Sequence, residues 1–263
     1  MLQLGDSMQA LNSQYLSTAL SPYNLFIFEK IDSTNQYLLD NIATLKKGDI
    51  CLAEQQTAGR GRRGRPWQSP FGSQIIMSLY WQWDPKKSLE GLSTIVGLAI
   101  VETLRKAGAW VEVKWPNDIL LNKRKLAGIL VEIANHKNNA INLVIGVGLN
   151  LALPTDNTPI DQAWANLNEA IPNYDRNKLT VQLIQNIYHY LAIFEQEGIS
   201  PAIQQEWIHA DAFFGEEVTI LSEQHTIIGI EQGIDEKGYI RIATENGLAC
   251  FSGGEVSLRW NKT

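Results

Sequence analysis

Hydrophobic residues along the first two hundred positions switch between the spacing of helices and that of strands. Apolar residues three or four positions apart predict long helices over 89–107, which Gly108 ends, and over 179–194. The segment 32–48, "DSTNQYLLDNIATLKKG", predicts a further helix with a polar cap at its start and Gly48 at its end. A short N-terminal helix is predicted from the spacing of Leu4, Met8, Leu11 and Tyr15.

Between these helices, apolar runs of strand length recur. The predicted strands are "LFIFEKI", "DICLAEQQ", "SQIIMSLYWQW", "WVEVKW", "DILL", "LAGILVEIA" and "INLVIGVGLNLA". "DILL" and "LAGILVEIA" read as a hairpin around "NKRK". Because helices and strands do not alternate strictly, as they would in a series of βαβ units, the pattern favours an α+β domain with a mixed or antiparallel sheet.

The pattern changes near residue 212. From Gly215 onward there are short β-rich runs separated by turns such as "DEKG" and "ENG". The runs include "EVTIL", "TIIGIE", "YIRIAT" and "EVSLRW". About five short strands in about fifty residues suggest a small closed barrel. We therefore predict two domains, residues 1–212 and 213–263.

Composition narrows the class of protein. The net charge of −6 argues against general nucleic-acid binding through a positive field. There is no apolar run long enough to cross a bilayer and no signal-peptide pattern, so no membrane partner is expected. Two cysteines without a CxxC motif suit the reducing cytoplasm. The histidines are too far apart in sequence to form a ligand pair, so we expect no protein-held metal.

Positive charge is concentrated in one glycine-rich stretch, "GRGRRGRPW", residues 59–67, which we call the arginine loop. Its glycines spell GxGxxG, but the segment runs on into a strand rather than a helix, so a dinucleotide-binding fold is rejected. The chain contains neither HRD nor DFG, which excludes a kinase glycine loop, and it has no Walker motif. The arginines of the loop are Arg60, Arg62, Arg63 and Arg65.

The chemistry of the arginine loop suits a phosphate or carboxylate. Glycines let the backbone close over a ligand and offer its N–H groups. Each arginine can form charge-assisted bonds worth about 1.5–3 kcal/mol. Trp67 offers a face on which a base could stack, for about 1–3 kcal/mol. The loop therefore predicts a nucleotide clamp that orders on binding, while single-stranded nucleic acid remains an alternative on these residues alone.

Four further motifs, taken together with "EQQTAGRGRRGRPW" and in this order, resemble bacterial biotin protein ligases. They are "DSTN" at 32–35, "KWPND" at 114–118, "RKLAGILVE" at 124–132 and "GVGLN" at 146–150. The resemblance extends from Phe26 to "GGEVSLR" at 253–259. It implies a class II synthetase-like, mixed-sheet catalytic domain followed by a small SH3-like barrel.

The resemblance also implies the reaction. Such enzymes join biotin and ATP, with Mg²⁺, into biotinyl-5′-AMP and release pyrophosphate. They then transfer the biotinyl group to one lysine of a biotin carboxyl carrier domain, such as that of acetyl-CoA carboxylase. A carboxylate must approach a triphosphate in the first step, which requires preorganised positive charge and backbone donors.

By the same resemblance, polar side chains would line the biotin site: Ser33, Thr34, Asn35 and Gln56. Ser33 is also a candidate helix cap, which is compatible with its neighbours facing a ligand. Arg60, Gly61 and Arg62 would fold over biotin and the phosphate. Gly128 would allow a ligand close to its strand.

The nucleotide and catalytic roles fall on the remaining motifs. Lys125 would meet the biotin carboxylate and phosphoryl oxygens, although a lysine in "NKRK" is ordinarily in a solvated turn. Lys114 would lie beside the triphosphate. Asp118 would orient the carrier lysine, which is protonated near pH 7 and needs an acceptor, or it would only cap a turn. The other nucleotide contacts would be Arg60, Arg62, Arg63, Arg65, Trp67, Asn117, Asn150 and Arg259.

Three expectations about class and partners remain. With only one predicted helix and no basic recognition helix before "LFIFEKI", the sequence resembles ligases without the DNA-binding domain, and we expect no operator binding. The alternatives are a lipoate or octanoate ligase or transferase, and a nucleic-acid-binding regulatory module. An edge strand of the catalytic sheet is a candidate for pairing two copies of the chain or for meeting the carrier domain.

Overall fold

The computed structural model describes residues 9–137, 139–154, 163–221, 226–253 and 257–260. Within them lie a seven-stranded sheet and a separate five-stranded sheet. The predicted α+β class with a mixed sheet is confirmed. The predicted domain boundary at residue 212 falls between the last helix and the second sheet, and it stays a prediction.

The first sheet has the spatial order β1-β2-β3-β7-β6-β5-β4. Its strands are β1 (Leu25–Ile31), β2 (Ile50–Gln56), β3 (Gln74–Trp83), β4 (Glu112–Lys114), β5 (Asp118–Leu121), β6 (Arg124–Lys137) and β7 (Ala140–Asn150). β1 and β2 are parallel and the other ladders are antiparallel. The predicted hairpin joins β5 to β6 through Asn122 and Lys123, whose positive φ angles of 50° and 59° are those of a type I′ turn.

Helices cover both faces of this sheet. They are α1 (Ser13–Ala19), α2 (Thr34–Asn41), α3 (Leu92–Lys106), α4 (Arg176–Glu197) and α5 (Pro201–Ala210). Alternate residues of a strand face opposite sides. Leu52 and Met77 therefore join the main core with α3 and α4, whereas Cys51 and Tyr80 join a smaller core under α2.

The helix at the N-terminus begins later than its spacing predicts. Leu4 and Met8 lie outside the described residues, and α1 starts only after Asn12, whose side chain caps it. The backbone N–H of Leu11 donates instead to Glu54 Oε1 at 2.7 Å, and that of Asn12 to Asn177 Oδ1 at 2.8 Å. Tertiary hydrogen bonds thus take the donors that a longer helix would use.

Two other helix predictions differ from the structure. The helix predicted to continue to Gly48 ends at Asn41, because the buried carboxylate of Asp49 accepts from the backbone of Lys46 and Asn24 and holds this segment in a turn. α5 was not predicted, although Ser200 caps it and a proline follows at its first position. A capping serine followed by proline was its sequence signal.

A buried ion pair fastens the N-terminal segment beneath the first sheet. Arg176, 1% exposed, donates to Glu54 Oε2 and to the carbonyl oxygens of Gln9 and Gln74. Removing one partner of such a pair typically costs about 3–5 kcal/mol. The pair therefore holds the start of β3, which reaches the functional site described below.

The second sheet is antiparallel, with the order β11-β10-β9-β8-β12. Its strands are β8 (Glu217–Leu221), β9 (Thr226–Ile234), β10 (Ile240–Thr244), β11 (Gly247–Phe251) and β12 (Ser257–Trp260). This is the predicted small β-rich unit. It joins the first unit next to α5, where the carboxyl group of Asp211 lies beside that of the fully buried Glu231.

Candidate active site

The main cavity lies on the face of the first sheet that carries α2. Gly146 and Gly148, two residues apart on β7, point to this face, and Gly128 of β6 is paired with Gly148. A Cβ on Gly146 would lie 2.3 Å from Asn35 Oδ1, and one on Gly148 would lie 2.6 Å from the Trp67 indole. The glycines are therefore the floor on which both side chains rest.

The cavity encloses about 710 Å³, a volume typical of small-molecule sites. Its lining includes every residue predicted for the site: Ser33, Thr34, Asn35, Gln56, Arg60, Gly61, Arg62, Arg63, Arg65, Trp67, Lys114, Asn117, Asp118, Lys125, Gly128, Asn150 and Arg259. The fold thus brings together residues from α2, five strands of the first sheet, the arginine loop and β12. The role of each residue stays a prediction.

One end of the cavity is a buried polar pocket at the start of α2. Ser33 caps the helix by accepting from the Gln36 backbone N–H at 3.3 Å, as the capping interpretation requires. Gln56 Oε1 accepts from the backbone and the hydroxyl of Thr34 at 2.8 and 3.0 Å. The hydroxyl oxygen of Ser78 on β3 lies 2.7 Å from Thr34 Oγ1 and 2.5 Å from Asn35 Oδ1, and its one proton is shared between these two acceptors. These bonds fix the orientation of the pocket's polar side chains.

The opposite end is cationic. Lys125 lies in β6, not in a solvated turn, and its Nζ is 2.8 Å from Asp118 Oδ1. Asp118 begins β5 and forms this ion pair instead of only capping a turn. Burial lowers the pKa of Lys114, with Arg259 and Lys125 adding to the decrease and Asp118 opposing it. A negatively charged group placed here would meet several cations and one carboxylate.

The arginine loop folds back on itself over the cavity. The Gly61 N–H donates to the Arg65 carbonyl at 2.7 Å, and the Trp67 N–H donates to the Gly59 carbonyl at 2.8 Å. Between them, Arg63 adopts a positive φ of 55°. The loop therefore has its own short ladder of backbone hydrogen bonds. The next long element after it is the strand β3 and not a helix, which agrees with the rejection of a dinucleotide-binding fold.

Arg62 connects the loop to both units. Its Nη1 donates to Asn117 Oδ1 at 2.9 Å, and its Nη2 donates to the Gly253 carbonyl near β12. Asn117 is itself held by Ile129, because their backbone and side-chain groups exchange two bonds of 2.9 Å. Burial lowers the pKa of Arg62, and the neighbouring Arg63 adds to the decrease.

The other loop arginines are more exposed. Arg60 donates from Nη2 to Gln36 Oε1 at 2.9 Å and lies 3.3 Å from Glu132 Oε1, so its guanidinium is directed to the α2 side of the loop. Arg63 and Arg65 are exposed at the tip. The Trp67 indole packs on the glycine floor, with Lys125 Nζ 5.5 Å from its ring centre.

Among the described residues, three buried polar atoms of the cavity wall have no hydrogen-bond partner. Asp118 Oδ1 has its ion pair with Lys125, whereas Trp67 Nε1 and Gln74 Oε1 have no such contact. Gln74 uses its amide nitrogen to donate to Asn150 Oδ1 at 2.8 Å. Asn150 Nδ2 in turn faces the carbonyl oxygens of Lys125 and Ala165 at 3.4 and 3.2 Å. A buried donor and acceptor left unpaired are costly unless a ligand satisfies them.

Sequence reasoning missed several residues of the site. They are Ser78, Gln74, Gly146, Gly148, Trp164 and Glu132. Ser78 and Glu132 had a usable signal, since each is a single polar residue within an otherwise apolar strand run. Trp164 had none, because it reaches the site only through its bridge to Lys125.

Comparison with known proteins places this geometry in a family. Residues 27–150 match the biotin/lipoate A/B protein ligase family, and residues 213–259 match the biotin protein ligase C-terminal domain. The bifunctional ligase/repressor BirA of Escherichia coli is 42% identical over 97% of this chain and 80% of its own length. The chain belongs to the biotin/lipoate A/B protein ligase family.

Two further members of this ligase family are similar over nearly their whole length. The biotin acetyl-CoA-carboxylase ligase of Paracoccus denitrificans is 30% identical over 86% of this chain and 97% of its own. The biotin protein ligase of Aquifex aeolicus, solved in complex with biotin and ATP, has a TM-score of 0.80 at 29% identity, covering 90% of this chain and 99% of that one. The resemblance to biotin protein ligases that the sequence motifs indicate is confirmed.

Within the part of the chain that the structure describes, none of the helices has both the length and the apolar character needed to span a membrane. The same residues contain no group of three or more His, Cys, Asp or Glu side chains that could hold a metal ion.

Proposed function

We propose that this protein is an ATP-dependent biotin protein ligase. The observation that carries the proposal is one continuous cavity with a polar, neutral pocket at one end and cations at the other. The hydroxyl and amide groups of Thr34, Asn35 and Gln56 suit a ureido ring, which both donates and accepts hydrogen bonds. Lys114, Lys125 and the loop arginines suit a carboxylate meeting a triphosphate.

In the first reaction, a biotin carboxylate oxygen attacks the α-phosphorus of ATP. The bond from that phosphorus to the bridging oxygen breaks, and pyrophosphate leaves with the electron pair. Lys125 and Lys114 would stabilise the charge that develops on the phosphoryl oxygens, and Arg62 would close the loop over the adenylate. Trp67 and Gln74 would face the base, whose polar edge can satisfy their unpaired atoms.

In the second reaction, the amine of a carrier lysine attacks the acyl carbon of biotinyl-AMP. An amide bond forms, the bond from the acyl carbon to the phosphate oxygen breaks, and AMP leaves. The amine must lose a proton to attack, and Asp118 is the one carboxylate in the described cavity lining. We assign Asp118 to orient this amine and accept its proton directly or through water.

The donor set fits Mg²⁺ that arrives with ATP. Mg²⁺ prefers oxygen ligands and is commonly held by phosphates, waters and one or two carboxylates. Asp118 can supply one such ligand. When bound, the ion would neutralise charge on the triphosphate, and the chain's own contribution would be the lysines and arginines around it.

Pyrophosphate release tests this proposal. The protein would be mixed with ATP and Mg²⁺ in the presence of biotin, lipoate or no acid. We expect a burst of about one equivalent per chain with biotin only, because the adenylate stays in the closed site. Adding a purified biotin carboxyl carrier domain should then give steady turnover and a mass increase of one biotinyl group.

The arms of the experiment separate the alternatives. Release with lipoate and not with biotin would assign the protein to the lipoate branch of its family. No release with either acid would contradict both ligase assignments and leave nucleic-acid binding, which salt-dependent binding to single strands would reveal.

The remaining proposals concern partners and setting. A carrier domain could approach the cavity mouth between the arginine loop and β12. β1 and β4 are the edge strands of the first sheet, so pairing of two copies through an edge is a proposal of the same kind. Cys51 and Cys250 are free thiols, which is compatible with the expected cytoplasmic setting.

A further inference from the structure

Glu132 is an acidic residue at the border between the polar pocket and the arginine loop. It lies in β6 on the same face as Gly128, because the two are four residues apart on one strand. Its side chain is 27% exposed, so it is neither deep in the core nor freely solvated. The two oxygens of its carboxylate contact two different elements.

One oxygen holds the pocket. Glu132 Oε2 accepts from Asn35 Nδ2 at 2.7 Å. Asn35 is 5% exposed, and the hydroxyl of Ser78 donates to its Oδ1 at 2.5 Å. An amide side chain can rotate by 180° and exchange the positions of its oxygen and nitrogen. The Glu132 carboxylate can only accept a hydrogen bond, so the nitrogen of Asn35 must face Glu132 and the oxygen must face Ser78. Glu132 therefore decides which polar group Asn35 presents to the pocket.

The other oxygen holds the loop. Glu132 Oε1 lies 3.3 Å from Nη2 of Arg60, which also donates to Gln36 Oε1 at 2.9 Å. Arg60 is the first arginine of the loop, and its backbone pairs with Pro66 across the loop ladder. The anchor on Arg60 thus acts on the side of the loop that returns to α2.

These contacts join in one continuous chain. It runs from Gln56 through Thr34, Ser78, Asn35 and Glu132 to Arg60. Gly146 lies directly under Asn35 and leaves no room for a side chain there. A ligand that binds to Asn35 therefore contacts a side chain that Glu132 holds, and the same carboxylate also holds the arginine loop through Arg60.

We propose that Glu132 is a positioning residue that orients Asn35 for the acid substrate and at the same time anchors the arginine loop through Arg60. This inference rests on the proposed function, because it names the acid pocket as the place where biotin is recognised. It deepens that function by making one carboxylate serve both recognition of the acid and retention of the adenylate.

Two variants of Glu132 separate its two contacts. Glu132→Gln keeps an oxygen that can accept from Asn35 but loses the charge opposite Arg60. We expect its biotin Kd to stay within about threefold of wild type, while biotinyl-AMP dissociates about two- to fivefold faster, as befits a half-exposed ion pair. Glu132→Ala leaves the Asn35 donor unpaired, and its biotin Kd should also rise about tenfold. In Glu132→Ala, KM for ATP should rise less than the biotin Kd does.

The measurements are calorimetric titration of each full-length protein with biotin and the rate of loss of radiolabelled biotinyl-AMP. Glu29→Gln is the matched control, because it removes the same charge from an exposed position on β1. At about 0.5 M salt the difference between Glu132→Gln and wild type should shrink, since screening weakens the pair with Arg60.

The outcomes are distinguishable from failure of the ligase assignment. If wild type neither binds biotin nor releases pyrophosphate with it, the proposed function is wrong and this inference with it. If wild type does both and Glu132→Ala behaves as Glu29→Gln does, the inference alone is wrong. Equal losses for biotin and ATP with a lowered Tm would reduce Glu132 to a structural role and would also overturn it.

Discussion

At the scale of single residues, the charge of Lys114 depends on its surroundings. It lies beside β5 in the cationic end of the cavity, where burial lowers its pKa and Asp118 partly offsets the decrease. A lysine with a lowered pKa loses its proton at a pH below the ordinary value of 10.5. The positive charge proposed to meet the triphosphate is therefore lost earlier on the alkaline side than that of a surface lysine.

This yields a prediction for the pH profile of adenylation. In wild type, kcat/KM for ATP should decline on the alkaline side with an apparent pKa below 10.5. Lys114→Arg should lower kcat/KM at neutral pH, because a guanidinium places its charge differently, but its alkaline decline should disappear, because arginine stays protonated.

Pyrophosphate release between pH 7 and 10 provides the measurement, with far-UV circular dichroism to exclude unfolding. An unchanged alkaline decline in the arginine variant would assign the titration to another group and contradict the role given to Lys114.

At the scale of elements, two glycines of β7 lie under different parts of the cavity. Gly146 lies under Asn35 and Gly148 under Trp67, both on the face opposite the buried Val147. One strand therefore supports the acid pocket and the nucleotide pocket two residues apart.

Adding a single methyl group should damage these pockets separately. Gly146→Ala would push on Asn35 and raise the biotin Kd about tenfold, while KM for ATP stays near wild type; Gly148→Ala would push on Trp67 and do the reverse. Calorimetry with biotin and steady-state kinetics with ATP test both.

Gly97→Ala on α3 is the control, because its new Cβ would meet no atom closer than 3.5 Å and should slightly raise stability. Loss of both affinities in both β7 variants would contradict the separation of the pockets.

At the scale of the whole molecule, the two units meet at a pair of acids, the half-buried Asp211 and the fully buried Glu231. Burial raises the pKa of Glu231, and the neighbouring carboxyl of Asp211 raises it further. Burial raises the pKa of Asp211 to about 6, and the bonds that Trp207 Nε1 and the Phe213 N–H donate to it at 2.6 and 3.0 Å limit the rise. Asp211 therefore ionises before Glu231. The folded protein therefore keeps a proton on Glu231 that the unfolded chain would release above its ordinary pKa of 4.5.

The sign of the pH effect follows from this proton. Because the folded state binds more protons above pH 4.5, the free energy of unfolding should fall as pH rises, by up to about 1.4 kcal/mol per pH unit from this group. Glu231→Gln carries no such proton, so it should be more stable than wild type at pH 8 and show a flatter curve.

Urea unfolding from pH 5 to 9, followed by tryptophan fluorescence, measures both slopes. Should the glutamine variant retain the wild-type slope, the pH dependence arises elsewhere. Should it lose stability at every pH, the acid pair contributes through a hydrogen bond that glutamine cannot replace.

Most of the secondary structure could be predicted from the sequence, and so could many residues of the cavity lining, whereas Ser78, Gln74, Trp164 and Glu132 were missed. Apolar periodicity located the long helices and strands because burial of one face imposes a period of 3.6 or 2 residues whatever the tertiary structure. The arginine loop was predicted from its own chemistry, and the other site residues, those of "KWPND" among them, from the resemblance to biotin protein ligases. The family followed from the order of those motifs.

What the sequence by itself determined was therefore which residue types the site contains and which elements carry them. Only the tertiary structure decided their partners: that Arg60 is drawn to Glu132, that Lys125 pairs with Asp118, and that Gly148 supports Trp67. It also decided where α1 begins and where α2 ends. The physical reason is the same in each case, since a contact between residues remote in sequence depends on the register of strands, and no local pattern encodes that register.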